Sequence, residues 1–178
     1  DFEFIELMNR GSQTINLSGV EFIDGVAFDF STAEIRALDP GERVLIVKSV
    51  AAFEERYGNA FSSKIVGEYS GNLSNDGELI TLVDATGTTI FSFTYNDQSP
   101  WPEEPDGDSY TLVFINPMGP LIPEHEDPAN WRASASSGGS PGDTGSSNYN
   151  DWKIANGLPI PETDADPDRD GRDNLLEY

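Results

Sequence analysis

Oxygen-bearing side chains recur at alternate positions near the end of this chain. Asp166, Asp168 and Asp170 take the first, third and fifth places of a twelve-residue stretch, Gly171 the sixth, Asn174 the ninth and Glu177 the twelfth. That is the ligand spacing of a loop that wraps calcium, an ion that needs about six to eight hard oxygen donors around one point. Gly171 allows the sharp bend, Arg172 contributes its backbone carbonyl, and Glu177 can close the shell with both carboxylate oxygens. A frame that starts at Asp164 fails, because it puts Arg169 where the glycine belongs and Leu175 where the closing acid belongs. Leu175, Leu176 and Tyr178 read as the first turn of a truncated exiting helix.

The other candidate constellations are weaker. Glu103, Glu104, Asp106 and Asp108 gather beside Trp101, and paired carboxylates next to an aromatic ring could serve a glycosidase. The same stretch, W-P-E-E-P-D-G-D, reads more simply as an exposed turn whose Trp101 plugs the end of a sandwich. Trp101 or Trp131 could instead stack on a sugar ring. His125, the sole histidine, has Glu124, Glu126 and Asp127 around it, but one imidazole makes a poor zinc site, so it reads as a solvated loop residue. No nucleophile elbow, phosphate-cradling glycine loop or paired-histidine helix occurs, and no catalytic residues are assigned.

Charge narrows the partners. With 10 basic against 32 acidic residues the formal charge is −22, which repels phosphate backbones and anionic lipid surfaces. Nucleic acid and membrane insertion are therefore not expected, and no apolar run approaches a membrane span. There is no cysteine, so thiol chemistry and disulfides are excluded and compartment cannot be read from them. An oxygen-ligand loop is usefully filled at the calcium levels found outside cells, which points to an extracellular or cell-surface setting. The opening D-F-E-F-I-E-L begins in mid-pattern, as though an export signal and an initial strand had been removed.

The elements expected to carry these residues are mostly strands. Apolar runs cover Glu3 to Asn9, Ile15 to Asp24, Val26 to Phe30, Arg43 to Lys48, Lys64 to Tyr69, Glu78 to Asp84, Thr89 to Asn96 and Tyr110 to Ile115. Phe91, Phe93 and Tyr95 alternate with Ile90, Ser92 and Thr94, the mark of a strand packed on its aromatic side. Asp24-Gly25, Asn75-Asp76-Gly77 and Ala85-Thr86-Gly87 supply turn chemistry that favours antiparallel neighbours. Ser49 to Tyr57 predicts one short helix, capped by Ser49, ended by Gly58 and covering an open end of the sandwich. Ser134 to Ser147 is almost entirely small and polar and reads as a linker or a loop along the sandwich. A new unit starts near Asn148, where Tyr149, Trp152 and Ile154 to Leu158 read as a helix leading into the calcium loop.

Taken together, L-S-G-V-E-F at Leu17 to Phe22, P-G-E-R-V-L-I-V at Pro40 to Val47 and L-S-N-D-G-E-L-I-T-L at Leu73 to Leu82 resemble the lamin tail domain. F-I-E-L-M-N at Phe4 to Asn9, Y-N-D-Q-S-P-W-P at Tyr95 to Pro102, Gly107-Asp108-Ser109, Asn130-Trp131 and S-P-G at Ser140 to Gly142 are similar to the secreted bacterial form of that family. The resemblance covers roughly Asp1 to Asn148 and implies an immunoglobulin-like sandwich with no shared catalytic residues. The family usually has a further strand before F-I-E-L, and its lack here would leave a sheet edge exposed. The segment from Trp152 resembles a single EF-hand or dockerin-like calcium repeat.

The expectation is an all-β, immunoglobulin-like antiparallel sandwich with one short helix over residues 1–147, followed by a calcium-binding segment over 148–178. It is not expected to be an enzyme. Its partner would be a protein or a glycan, with self-association possible. The main reading is a non-catalytic extracellular binding or interaction module; the alternatives are a carbohydrate- or surface-binding accessory domain of a larger exported hydrolase, or a self-associating structural unit.

Overall fold

The structure, a computed structural model, describes residues 2–106, 109–115, 117 and 124–142. Along the chain run β1 (Phe4–Met8), β2 (Ile15–Asn16), β3 (Glu21–Asp24), β4 (Val26–Asp29), β5 (Ala37–Leu38) and β6 (Arg43–Val47). They are followed by helix α1 (Val50–Tyr57), then β7 (Ile65–Glu68), β8 (Ser70–Gly71), β9 (Glu78–Val83), β10 (Thr89–Tyr95), β11 (Leu112–Phe114) and β12 (Trp131–Ala133). Two sheets face each other, one ordered β1-β6-β7 and the other β10-β9-β3-β4-β8, with β11–β12 and β2–β5 as separate pairs. This is the expected all-β, immunoglobulin-like fold.

Alternation in the strands builds the core. Val44 and Ile46 of β6 turn inward to meet Phe22, Phe28, Ile80, Leu82 and Phe93 from the larger sheet. Leu45 and Val47 point the other way and bury against Phe53 of α1. Because both faces of β6 are covered, its sequence is a continuous apolar run instead of an alternating one. The aromatic side of β10 faces inward as its alternation requires: Phe93 is buried, Phe91 and Tyr95 pack on the core, and Ile90, Ser92 and Thr94 are exposed.

Three local expectations change, and one strand pair, β6–β7, departs from the expected antiparallel pairing. The run Ile15 to Asp24 is broken, because Val20 N–H donates to the Leu17 carbonyl in a turn that Gly19 makes at φ 80°. Asn75-Asp76-Gly77 does form a turn, with Gly77 N–H on the Ser74 carbonyl, but β8 and β9 on either side of it are not neighbours in the sheet. Asp24-Gly25 and Ala85-Thr86-Gly87, by contrast, do join antiparallel pairs, β3–β4 and β9–β10. Helix α1, capped by Ser49 and ended by Gly58 as expected, covers a sheet face and not an open end. It forms part of the crossover between β6 and β7, which pair in parallel as any such crossover allows.

The Ser- and Gly-rich stretch lies along the sandwich as far as it is described. Ser134 N–H donates to the Thr111 carbonyl and Gly138 N–H to that of Ser109. The Gly138 carbonyl accepts from Tyr57 Oη, and Gly142 receives Lys64 Nζ on its carbonyl while donating its N–H to Glu6 Oε2. The strap thus ties the outer side of β1 to α1 and the turn after it.

Candidate functional site

The residues read as calcium ligands, Asp166, Asp168, Asp170, Arg172, Asn174 and Glu177, lie outside the described residues. So do Asp108, the boundary near Asn148 and the helix expected ahead of the loop. Among the described residues no group of three or more histidine or acidic side chains is placed to hold a metal ion, and no helix is long and apolar enough to cross a membrane.

Of the weaker constellations, the one beside Trp101 splits in two. Asp97, Glu103, Glu104 and Asp106 line a shallow, open hollow of about 700 Å³ together with Gln98 and Ser99, and Glu103, Glu104 and Asp106 are exposed. Trp101, however, is buried at 8% exposure and turned into the core, where its ring meets Trp131 at 6.0 Å. It plugs the sandwich and offers no platform beside those carboxylates, so the stacking role considered for it does not hold.

His125 departs from its expected place in solvent. Its ring is half-buried in an aromatic nest, 5.2 Å from Phe93 in a stacked arrangement, 5.2 Å from Phe114 and 5.3 Å from Phe91. Trp131 closes the nest: it stacks on Phe93 at 5.3 Å and its Nε1 donates to the His125 carbonyl at 2.8 Å. Burial, and secondarily the charge of Arg10, pushes the imidazole pKa below its ordinary value. The histidine is therefore neutral when folded and protonates more readily when unfolded. The stability this contributes is fully present above the unfolded pKa, about 6.5, and is lost as pH falls from there through the lowered folded value. Melting temperature should drop below about pH 6.5 more steeply than in His125→Phe, and an equal drop in the variant would refute a role for this ring.

A second polar group on the same sandwich went unnoticed in the sequence. Tyr69 Oη donates to Glu3 Oε2 at 2.8 Å, and the same carboxylate oxygen accepts Leu73 N–H at 3.2 Å. Tyr95 Oη donates to the Ser74 carbonyl at 2.7 Å and to Glu78 Oε1 at 3.1 Å, while Glu78 Oε1 accepts Ser74 N–H at 2.7 Å. Two carboxylates and two phenols thereby pin the 73–78 connection across both sheets. Burial first, and the neighbouring carboxylates next, push both phenols well above the ordinary tyrosine range. No sequence signal joins Glu3 to Tyr69, because only the tertiary fold brings them together.

A cleft of about 1600 Å³ opens among the described residues. It is lined by one edge strand of each sheet, β1 and β10, and by the β11–β12 pair, with Leu7, Phe93, Leu112 and Trp131 among its walls. Its surface is largely apolar and polar groups such as Asn9, Arg10 and Asp97 stand in its lining. An opening of that kind can take a ligand or a partner's side chains.

A two-sheet immunoglobulin-like frame whose polar side chains pin strands and turns defines the class of fold. The family model of the lamin tail domain matches residues 1–97, and the chain belongs to that family. The match spans β1 to β10 and stops at Asp97, short of the hairpin and of the calcium-loop residues. No curated protein matches the sequence.

Proposed function

We propose that the chain is a non-catalytic extracellular binding or interaction module, and that a calcium-binding loop at Asp166 to Glu177 orders its C-terminal segment. The observation that carries the binding half is the apolar cleft between the edge strands β1 and β10 and the β11–β12 pair. Membership of an immunoglobulin-like family without shared catalytic residues supports the same reading.

The calcium half rests on ligand spacing and electrostatics. Without metal, the carboxylates of Asp166, Asp168, Asp170 and Glu177 crowd one another; a divalent cation cancels that repulsion and converts it into attraction. At calcium a hundredfold above its dissociation constant, binding would stabilise the ordered segment by about 2.7 kcal/mol. The net charge of −22 raises local cation concentration and favours the metal further.

Calorimetric titration of the metal-stripped chain with calcium tests this. One-site binding is expected, and it should vanish in an Asp170→Ala and Glu177→Ala double variant. No heat and no gain in melting temperature at millimolar calcium would remove the metal from the reading and leave the cleft to be probed alone.

A further inference from the structure

Strand β10 is the longest strand among the described residues, and it stands at the edge of its sheet with β9 as its only hydrogen-bonded neighbour there. Natural edge strands are usually blunted by charge, by proline or by shortness, because an open ladder invites another strand. The sequence of β10, T-I-F-S-F-T-Y, has neither charge nor proline across seven residues, in a chain otherwise dense with acid. Ile90 is 53% exposed on it, and Ile23 and Leu79, at 54% and 43%, are exposed on the neighbouring strands.

The hydrogen-bond alternation shows which groups the edge offers. Phe30 N–H donates to the Val20 carbonyl, so in β3 the even-numbered residues bond β4 and Glu21 turns toward β9. Glu21 is opposite Val83, hence in β9 Leu82 and Ile80 turn toward β10, where their partners are Phe91 and Phe93. Asp84 N–H on the Thr88 carbonyl agrees with that phase. The backbone N–H and C=O of Ser92 and Thr94 are left pointing outward, beside the irregularity between Thr89 and Phe91.

We propose that this edge pairs with the same edge of a second copy of the chain, antiparallel about a two-fold axis through Ser92. The sequence is self-complementary in that register: Ser92 meets Ser92, Phe91 meets Phe93, and Ile90 meets Thr94, as a two-fold interface requires. Charge selects the occupant. Two chains of −22 repel wherever acids face each other, but here Asp97 falls opposite Gly87 and Asn96 opposite Thr88, so no charge opposes another. The two five-stranded sheets would become one continuous sheet, with Ile90 of each copy beside Thr94 of the other. This gives the interaction module a partner, yet it does not depend on the calcium loop.

Sedimentation equilibrium of the full chain tests it, from micromolar to millimolar concentration, once with calcium chelated and once with calcium added. The wild type should shift to twice the mass of one chain in both buffers. Ser92→Lys and Ser92→Glu, each alone, set like charges face to face and should weaken association about tenfold or more. An equimolar mixture of the two should restore it, which only pairing through Ser92 would do. Slowed hydrogen exchange at Ser92 and Thr94 in concentrated wild type gives the same answer without any variant. A wild type that stays monomeric throughout, or a Ser92→Lys chain that associates like wild type, overturns the proposal. Monomeric chains that still bind calcium with one-site heat would overturn the pairing alone and leave the calcium loop in place.

Discussion

Replacing Phe30 by alanine is expected to cost about 3–5 kcal/mol of unfolding free energy, the range for truncating an enclosed aromatic side chain. Phe30 has no exposed surface. It sits just past β4, where Asp29 caps a single 3-10 turn by accepting the Ser31 N–H at 2.7 Å. That turn throws the ring inward, edge-on to Phe28 at 4.9 Å and tilted on Phe22 at 6.5 Å. Removing it leaves a void between both rings, which the surrounding strands cannot fill because their backbones are fixed by pairing on two sides. Ile23→Ala, at a side chain more than half exposed, should change stability by no more than about 0.5 kcal/mol. Urea unfolding at neutral pH separates the two: the midpoint should fall steeply for Phe30→Ala with an unchanged slope, and barely for Ile23→Ala. A small loss at Phe30 would mean that the core closes over the gap, contrary to the packing described.

Phe30 also shows where the sequence was legible and where it was not. Its run, Val26 to Phe30, was visible as apolar residues after a turn, but nothing local separates the enclosed ring from the others among ten phenylalanines. Burial is decided by which strands meet, and the period-2 pattern reports only one strand's two faces. In β10 that was enough, because one face is aromatic and the other small, so the inward side followed from alternation alone. Two-residue strands such as β5 and β8 carry no period at all, and they exist only because a partner strand runs alongside. His125 was misplaced for a similar reason. Its acidic neighbours in sequence suggested solvent, while Phe93 and Phe114, distant in sequence, bring it inside. The spacing at Asp166 to Glu177 is a different case: it is wholly local to the sequence, and it lies outside the described residues.

Raising the pH should unfold this protein through its tyrosines. Tyr69 is buried at 4% exposure and donates to Glu3; Tyr95 donates to Ser74 and Glu78. An ionised phenol could no longer donate, and it would set a second negative charge against a carboxylate in a place with little water. Both pKa values are accordingly raised in the folded state, and Tyr57, whose hydroxyl bonds the strap at Gly138, is raised by burial against a weaker opposing pull from Arg56. The folded chain therefore holds protons that the unfolded chain loses near pH 10. These phenols leave stability unchanged below that pH and lower it as pH rises above it, by up to about 1.4 kcal/mol per pH unit for each proton retained, so roughly 2.7 for Tyr69 and Tyr95 together. Tyr69→Phe should be less stable at neutral pH by about 1–3 kcal/mol, because Glu3 loses a donor, yet its alkaline slope should be shallower by one proton. Urea midpoints between pH 9 and 11.5, alongside tyrosinate absorbance of the folded chain, measure both quantities. If all six tyrosines ionised near pH 10 while the protein stayed folded, the phenol–carboxylate pins would not be protecting their protons and the stability argument built on them would fail.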